Sequence, residues 1–172
     1  ATFGPRPETS CRARRQPQLR LMDSTCMAYD QWQGSVPGHE RIGRFHLIAP
    51  WGAAGTAEPE APDEIPILMD PGLVFGAGTH PTTRDCLKAL ELAATSGRIR
   101  TVMDLGTGTG ILALAAARRL GARVLAVDLN LLAARTAARN VRLNRLDDRV
   151  LVAQGRAQDA IGAPAALDAA NL

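Results

Sequence analysis

The chain has 172 residues, of which 46% are hydrophobic but only 3% aromatic, so a packed core is available and must be built from Leu, Val, Ile and Ala. The formal charge of +3 lies in the first 28 residues, where five Arg face Glu8 and Asp23; such a tail reads as solvated, and direct nucleic-acid binding is not expected. Cys11, Cys26 and Cys86 are too widely spaced for a disulfide framework or zinc site, so no metal is expected and a reducing cytosol is the natural compartment; the longest apolar run, Ile111 to Ala117, is far short of a membrane span.

Residues 1–28 combine Pro, Arg, Gln and Ser without a sustained period and predict a disordered or non-native tail. Arg41 to Ile48 is a strand candidate, residues 52–63 a loop by composition, and Ile65 to Met69 a second short strand ending at the turn Asp70-Pro71-Gly72. The two strands are expected to pair as a small antiparallel unit, so that residues 29–80 form a linker with short strands and a loop.

From residue 81 the pattern changes to alternating strands and helices. Pro81 suits a first helical turn, and Leu87, Leu90 and Ala94 make an apolar stripe that stops at Gly97. Thr101 to Leu105 predicts a strand, Gly110 to Leu120 a helix stopped by Gly121, and Arg123 to Val127 a strand ending at Asp128. Leu131 to Leu143 predicts a helix whose apolar positions are Leu132, Ala133, Thr136, Ala137 and Val141, Arg149 to Ala153 a third strand, and Ala165 to Leu172 the opening of a fourth. Short connections between such elements argue for an α/β fold, a parallel sheet covered by helices.

Two motifs carry chemistry. Asp104-Leu-Gly-Thr-Gly-Thr-Gly110 joins a strand to a helix, where Gly106, Gly108 and Gly110 let backbone approach a ligand and the helix behind offers free N–H groups. Asp128 ends the next strand, 22 residues beyond Gly106, where a carboxylate accepts hydrogen bonds from ribose hydroxyls or else caps the following helix. A dinucleotide fingerprint needs glycine at position 111, which is Ile111 here. Asp104, close to the glycines, is poor company for a pyrophosphate but suits an ammonium group. Those residues favour S-adenosylmethionine over NAD.

The second motif, Asp70-Pro-Gly-Leu-Val-Phe-Gly-Ala-Gly-Thr-His-Pro-Thr-Thr83, lies just upstream. Together with the glycine run it resembles the ribosomal protein L-eleven methyltransferases, and Trp32 and Arg41-Ile-Gly-Arg-Phe-His-Leu-Ile-Ala-Pro-Trp51 resemble the segment leading into that family's catalytic domain. The likeness covers roughly residues 29–172, with Ala77 where the family usually has Thr.

The resemblance implies a Rossmann-like class I methyltransferase fold, preceded by a short β segment and C-terminally truncated, with residues 81–172 as the first half of the domain. It implies S-adenosylmethionine as cofactor, bound by Thr83, Gly106 and Asp128 with Phe75 lying over it, and a lysine of a ribosomal protein as acceptor. Phe75 is otherwise plain core. His80 reads either as a base for the acceptor amine or as a helix cap. Asn171, 43 residues beyond Asp128, falls where such enzymes place an Asn that orients an amine; Asp168 interrupts that strand, and a frayed end is the other reading. The rivals are a cofactor-binding fragment without turnover and an NAD-linked oxidoreductase. A fragment with half the sheet missing is expected to turn over poorly.

Overall fold

The computed structural model describes residues 37–52 and 61–161. The tail at 1–28, Trp32, and the last strand with Asp168 and Asn171 lie outside the described residues.

Two three-stranded sheets share one helix. The first contains β1 (His39–Ile42), β2 (Phe45–Ile48) and β3 (Ile65–Leu68), in that spatial order. The stretch expected as one strand, Arg41 to Ile48, is a hairpin instead: it reverses at Gly43-Arg44, where Gly43 holds φ +58°, a value a side chain disfavours. β3 pairs with β2 in parallel, not antiparallel as expected. Sixteen residues, 49–64, join them, long enough for the crossover that parallel neighbours require.

The second sheet is parallel in the order β4 (Thr101–Leu105), β5 (Arg123–Asp128), β6 (Val150–Gln154). Helices α1 (Pro81–Ala93), α2 (Ile111–Leu120), α3 (Leu131–Leu143) and the short α4 (Ala157–Ala160) complete the described chain. This is the α/β architecture expected from the alternating pattern.

α2 explains why the two sheets form one body. Its Ala113, Leu114, Ala115, Ala116 and Ala117 are all buried, the signature of a helix covered on every side. Ile42, Phe45, Leu47 and Ile67 of the first sheet and Val124, Ala126 and Val150 of the second join it in one core cluster. Small alanines let both sheets approach closely. The helix ends at Gly121, φ +63°, with Arg118 and Arg119 in its last turn, a favourable place for cations.

α3 differs from its expected face in two places. Leu132 is half exposed, whereas Asn140 is fully buried. Apolar periodicity could not foresee a buried amide.

Candidate cofactor-binding site

The site is built at the C-terminal ends of β4 and β5, where open α/β sheets hold ligands. The chain leaves β4 into the turn of residues 106–110, and Gly106, Gly108 and Gly110 all have positive φ, from +56° to +85°. Gly108 has a second reason to lack a side chain: a Cβ there would stand 2.3 Å from the Phe75 carbonyl oxygen.

The turn is held by its own amides. Gly106 and Thr107 both donate to Val127 O, at 2.8 and 3.0 Å, Thr109 to Phe75 O at 3.0 Å, and Gly110 to Thr107 O at 2.8 Å. Gly108 donates to Asp128 Oδ2 at 2.9 Å. In the first turn of α2, Ala113 N–H goes to Asp104 Oδ2 at 3.1 Å. The expected supply of free amides is therefore largely consumed inside the protein. That weighs against a pyrophosphate, which needs several such donors, and with it against NAD.

Asp104 is nearly buried. Its Oδ2 also accepts from Thr107 Oγ1 at 2.6 Å; Oδ1 takes no hydrogen bond among the described residues. Desolvation raises its pKa above the ordinary 3.8, the two hydrogen bonds oppose that rise, and the charge of Asp128 adds to it. A cation next to Oδ1 would relieve this strain.

Asp128 uses one oxygen on Gly108 N–H and the other, Oδ1, on Asn130 N–H at 2.9 Å. The residue that caps α3 is Asn130, whose Oδ1 accepts from Leu132 N–H. Asp128 thus ties the glycine turn to the start of α3, and a carboxylate's further lone pairs remain for ribose hydroxyls.

Two hollows meet at Gly106. The larger, about 580 Å³, is lined by Gly106, Val127, Asp128, Leu129 and Gly155 to Gln158. The smaller, about 100 Å³, is lined by Phe75, Gly76, Thr82, Thr83, Cys86, Gly106, Thr107, Ile111 and Leu112. Thr83 is buried. Phe75 is 64% exposed, so it is not core, and its ring forms an edge contact with His80, centroids 5.1 Å apart. His80 caps α1: its Nδ1 accepts from Thr82 N–H at 3.3 Å and meets Thr82 Oγ1 at 2.8 Å.

The structure thus sets Phe75, Thr83 and Gly106 on the smaller hollow and Gly106 and Asp128 on the larger one; Asp104 and Gly108 line neither, and Gly110 stands behind as the N-cap of α2, packed on Ala137. Sequence reasoning missed Gly155 to Gln158. Their signal was available: they follow the third parallel strand, beside Asp128.

Comparison with known proteins gives the family. The family model described as ribosomal protein L11 methyltransferase (PrmA) matches residues 32–169. A ribosomal protein L11 methyltransferase of Bacillus cytotoxicus is 48% identical over 128 residues, 74% of this chain and 39% of that protein. One of Anoxybacillus flavithermus is 43% identical over 129 residues, 75% and 40% respectively. The chain therefore spans about two fifths of the length of these curated relatives. Among solved structures, the ribosomal protein L11 methylase of Lactobacillus delbrueckii subsp. bulgaricus superposes with a TM-score of 0.60 at 29% identity, covering 74% of this chain and 62% of that one. The chain belongs to the ribosomal protein L11 methyltransferase family.

Proposed function

We propose that this chain carries the S-adenosylmethionine site of a protein methyltransferase whose acceptor is a lysine amine of a ribosomal protein, L11 by the names of its relatives. The observation that carries the reading is the double hollow joined at Gly106, with Asp128 in its larger part and Phe75 and Thr83 in its smaller part. The adenosine fits the first, with its ribose hydroxyls on Asp128, and the methionine end fits the second. Asp104 Oδ1, which takes no hydrogen bond among the described residues, suits the ammonium group.

When bound, S-adenosylmethionine supplies an electrophilic methyl group on a sulfonium, open to displacement by a neutral amine without a covalent enzyme intermediate. The chain's own part is positioning. The glycine turn fixes Asp104 and Asp128, and Phe75, braced by His80, excludes water from the smaller hollow. His80 spends its Nδ1 on the cap of α1, which favours this bracing role over that of a base. Asn171 is assigned the amine-orienting role on its spacing from Asp128 and on resemblance alone.

Calorimetric titration with S-adenosylmethionine and with NAD tests the cofactor: binding of NAD alone would sink the proposal. The relatives' greater length keeps a second reading alive, binding without turnover. A methylation assay on purified ribosomal protein L11 separates the two, and turnover at ordinary enzymatic rates would exclude the second. If Asn171 orients the amine, Asn171→Ala abolishes methyl transfer while leaving cofactor affinity unchanged.

A further inference from the structure

The loop of residues 70–83 and the glycine turn are separated in the chain by most of α1 and by β4, yet they are joined by two side chains that line neither hollow. Thr109 is fully buried and every polar group it owns is engaged across the junction. Its N–H donates to Phe75 O at 3.0 Å, its Oγ1 to Gly76 O at 2.8 Å, and its carbonyl accepts from Asn140 Nδ2 at 2.9 Å. Asn140, also fully buried, completes the junction from α3. Its Oδ1 accepts from Asp70 N–H at 2.9 Å, and its Nδ2 donates to Asp70 O at 2.9 Å as well as to Thr109 O.

The fit between the two loops leaves no slack. A Cβ on Gly76, where φ is +111°, would stand 2.6 Å from Thr109 Oγ1. A buried amide satisfied in this way is costly to alter and fixes one arrangement of what it joins. One turn on, at the C-cap of α3, Asn144 makes a similar pair of bonds to Leu68: its Oδ1 accepts from the N–H at 3.0 Å and its Nδ2 donates to the carbonyl at 2.6 Å. Those bonds hold β3 and do not reach the glycine turn.

We infer that Asn140 and Thr109 are positioning residues, which hold the loop that bears Phe75 and leads into Thr83 of α1 against the glycine turn and so form the smaller hollow before any ligand arrives. Binding then spends little on ordering that loop. The functional half of this inference rests on the cofactor reading above; the mechanical half does not.

The test uses the whole chain and near-isosteric variants. Thr109→Val removes the hydroxyl donor, Thr109→Ser keeps it, and Asn140→Asp keeps an acceptor but loses both donors. Asn144→Asp makes the same chemical change one turn away. Amide hydrogen exchange across residues 72–79 is expected to quicken at least tenfold in Asn140→Asp and Thr109→Val, and to stay within twofold of the parent in Asn144→Asp and Thr109→Ser. The dissociation constant of S-adenosylhomocysteine, measured by calorimetry, should rise tenfold or more in the first two variants only. Unchanged exchange in both Asn140→Asp and Thr109→Val, or an equal change in Asn144→Asp, would overturn the inference. If the parent chain binds no S-adenosylhomocysteine, the cofactor reading fails, and the exchange data still decide whether the junction exists. Should Asn140→Asp fail to fold, the Thr109→Val and Thr109→Ser pair carries the test.

Discussion

The two sheets use their charged residues in opposite ways. In the first, opposite charges satisfy one another: Glu64 accepts from Arg41 Nε at 2.8 Å and pairs with His46 Nδ1 at 3.1 Å, Arg44 pairs with Asp63, and Glu40 pairs with Arg84 of α1. In the second, Asp104 and Asp128 bind no cation among the hydrogen bonds and ion pairs described; they accept from backbone amides and a threonine hydroxyl. Paired charges close a structure off, whereas carboxylates resting on amides keep acceptor capacity for a ligand. On this contrast we propose that the first sheet is scaffold and the second carries the cofactor site, although both pack on α2.

If that division is right, substitutions in the second sheet's turn should damage binding, and those in the first should damage only stability. The largest effect is expected at Gly108. Gly108→Ala adds a Cβ 2.3 Å from a carbonyl oxygen in a left-handed backbone conformation, costing about 3 kcal/mol in strain and lost hydrogen bonding. Denaturant unfolding should show that loss, and calorimetry a cofactor affinity reduced by more than tenfold. Glu64→Gln comes next. It removes the carboxylate that Arg41 Nε and the buried His46 Nδ1 both meet, and because Arg41 is partly exposed the cost is about 2 kcal/mol rather than the full value for a buried pair. Cofactor affinity should not move. A matching loss of affinity would show that the two sheets are not separable in function.

The same division governs what was legible in the sequence. The parallel half could be read because its elements announce themselves locally: Pro81 opens α1, Gly121 closes α2, and the glycines of 106–110 lie between a strand and a helix. The first sheet was misread because its order depends on a long connection and on one glycine, Gly43, that turns an apparent strand into a hairpin. Of the site residues, Asp104, Gly106 and Asp128 followed from motif and spacing. The residues Gly155 to Gln158 bear no motif; their one signal was their place directly after the third parallel strand, which the pairing of β6 with β5 sets beside Asp128. Asn140 was illegible for a different reason: a helical wheel assigns Asn to the solvent face, and only the approach of Asp70 and Thr109 makes it core.

A finer cut falls inside the site, at Asp128. Asp128→Asn preserves shape and one acceptor oxygen but removes the charge that a ribose diol would meet. Hydrogen bonds to charged groups are worth about 1.5 kcal/mol more than none, so affinity for S-adenosylhomocysteine should fall roughly tenfold. Stability should fall less, since Asn can accept from only one of the two amides, Gly108 or Asn130, that Asp128 now serves. An affinity within twofold of the parent would place the ribose elsewhere.

The smallest effect distinguishes the two carboxylates from each other. Burial is the main cause that raises the Asp104 carboxyl above its ordinary value of 3.8. A carboxyl raised in this way binds more protons in the folded chain than in the unfolded one. Its contribution to stability is therefore fully present below the unfolded value and is lost as pH rises through the folded value. Above that value the folded protein carries a buried negative charge at a cost, which an ammonium group against Oδ1 would offset. Cofactor binding should then release a proton in the window between the ordinary and the raised value, and affinity should increase with pH across it. Calorimetry in two buffers of different ionisation enthalpy measures that release directly. Heats that do not depend on the buffer in the parent chain, or that depend on it equally in Asp104→Asn, would show that the cationic end of the cofactor does not rest on Asp104.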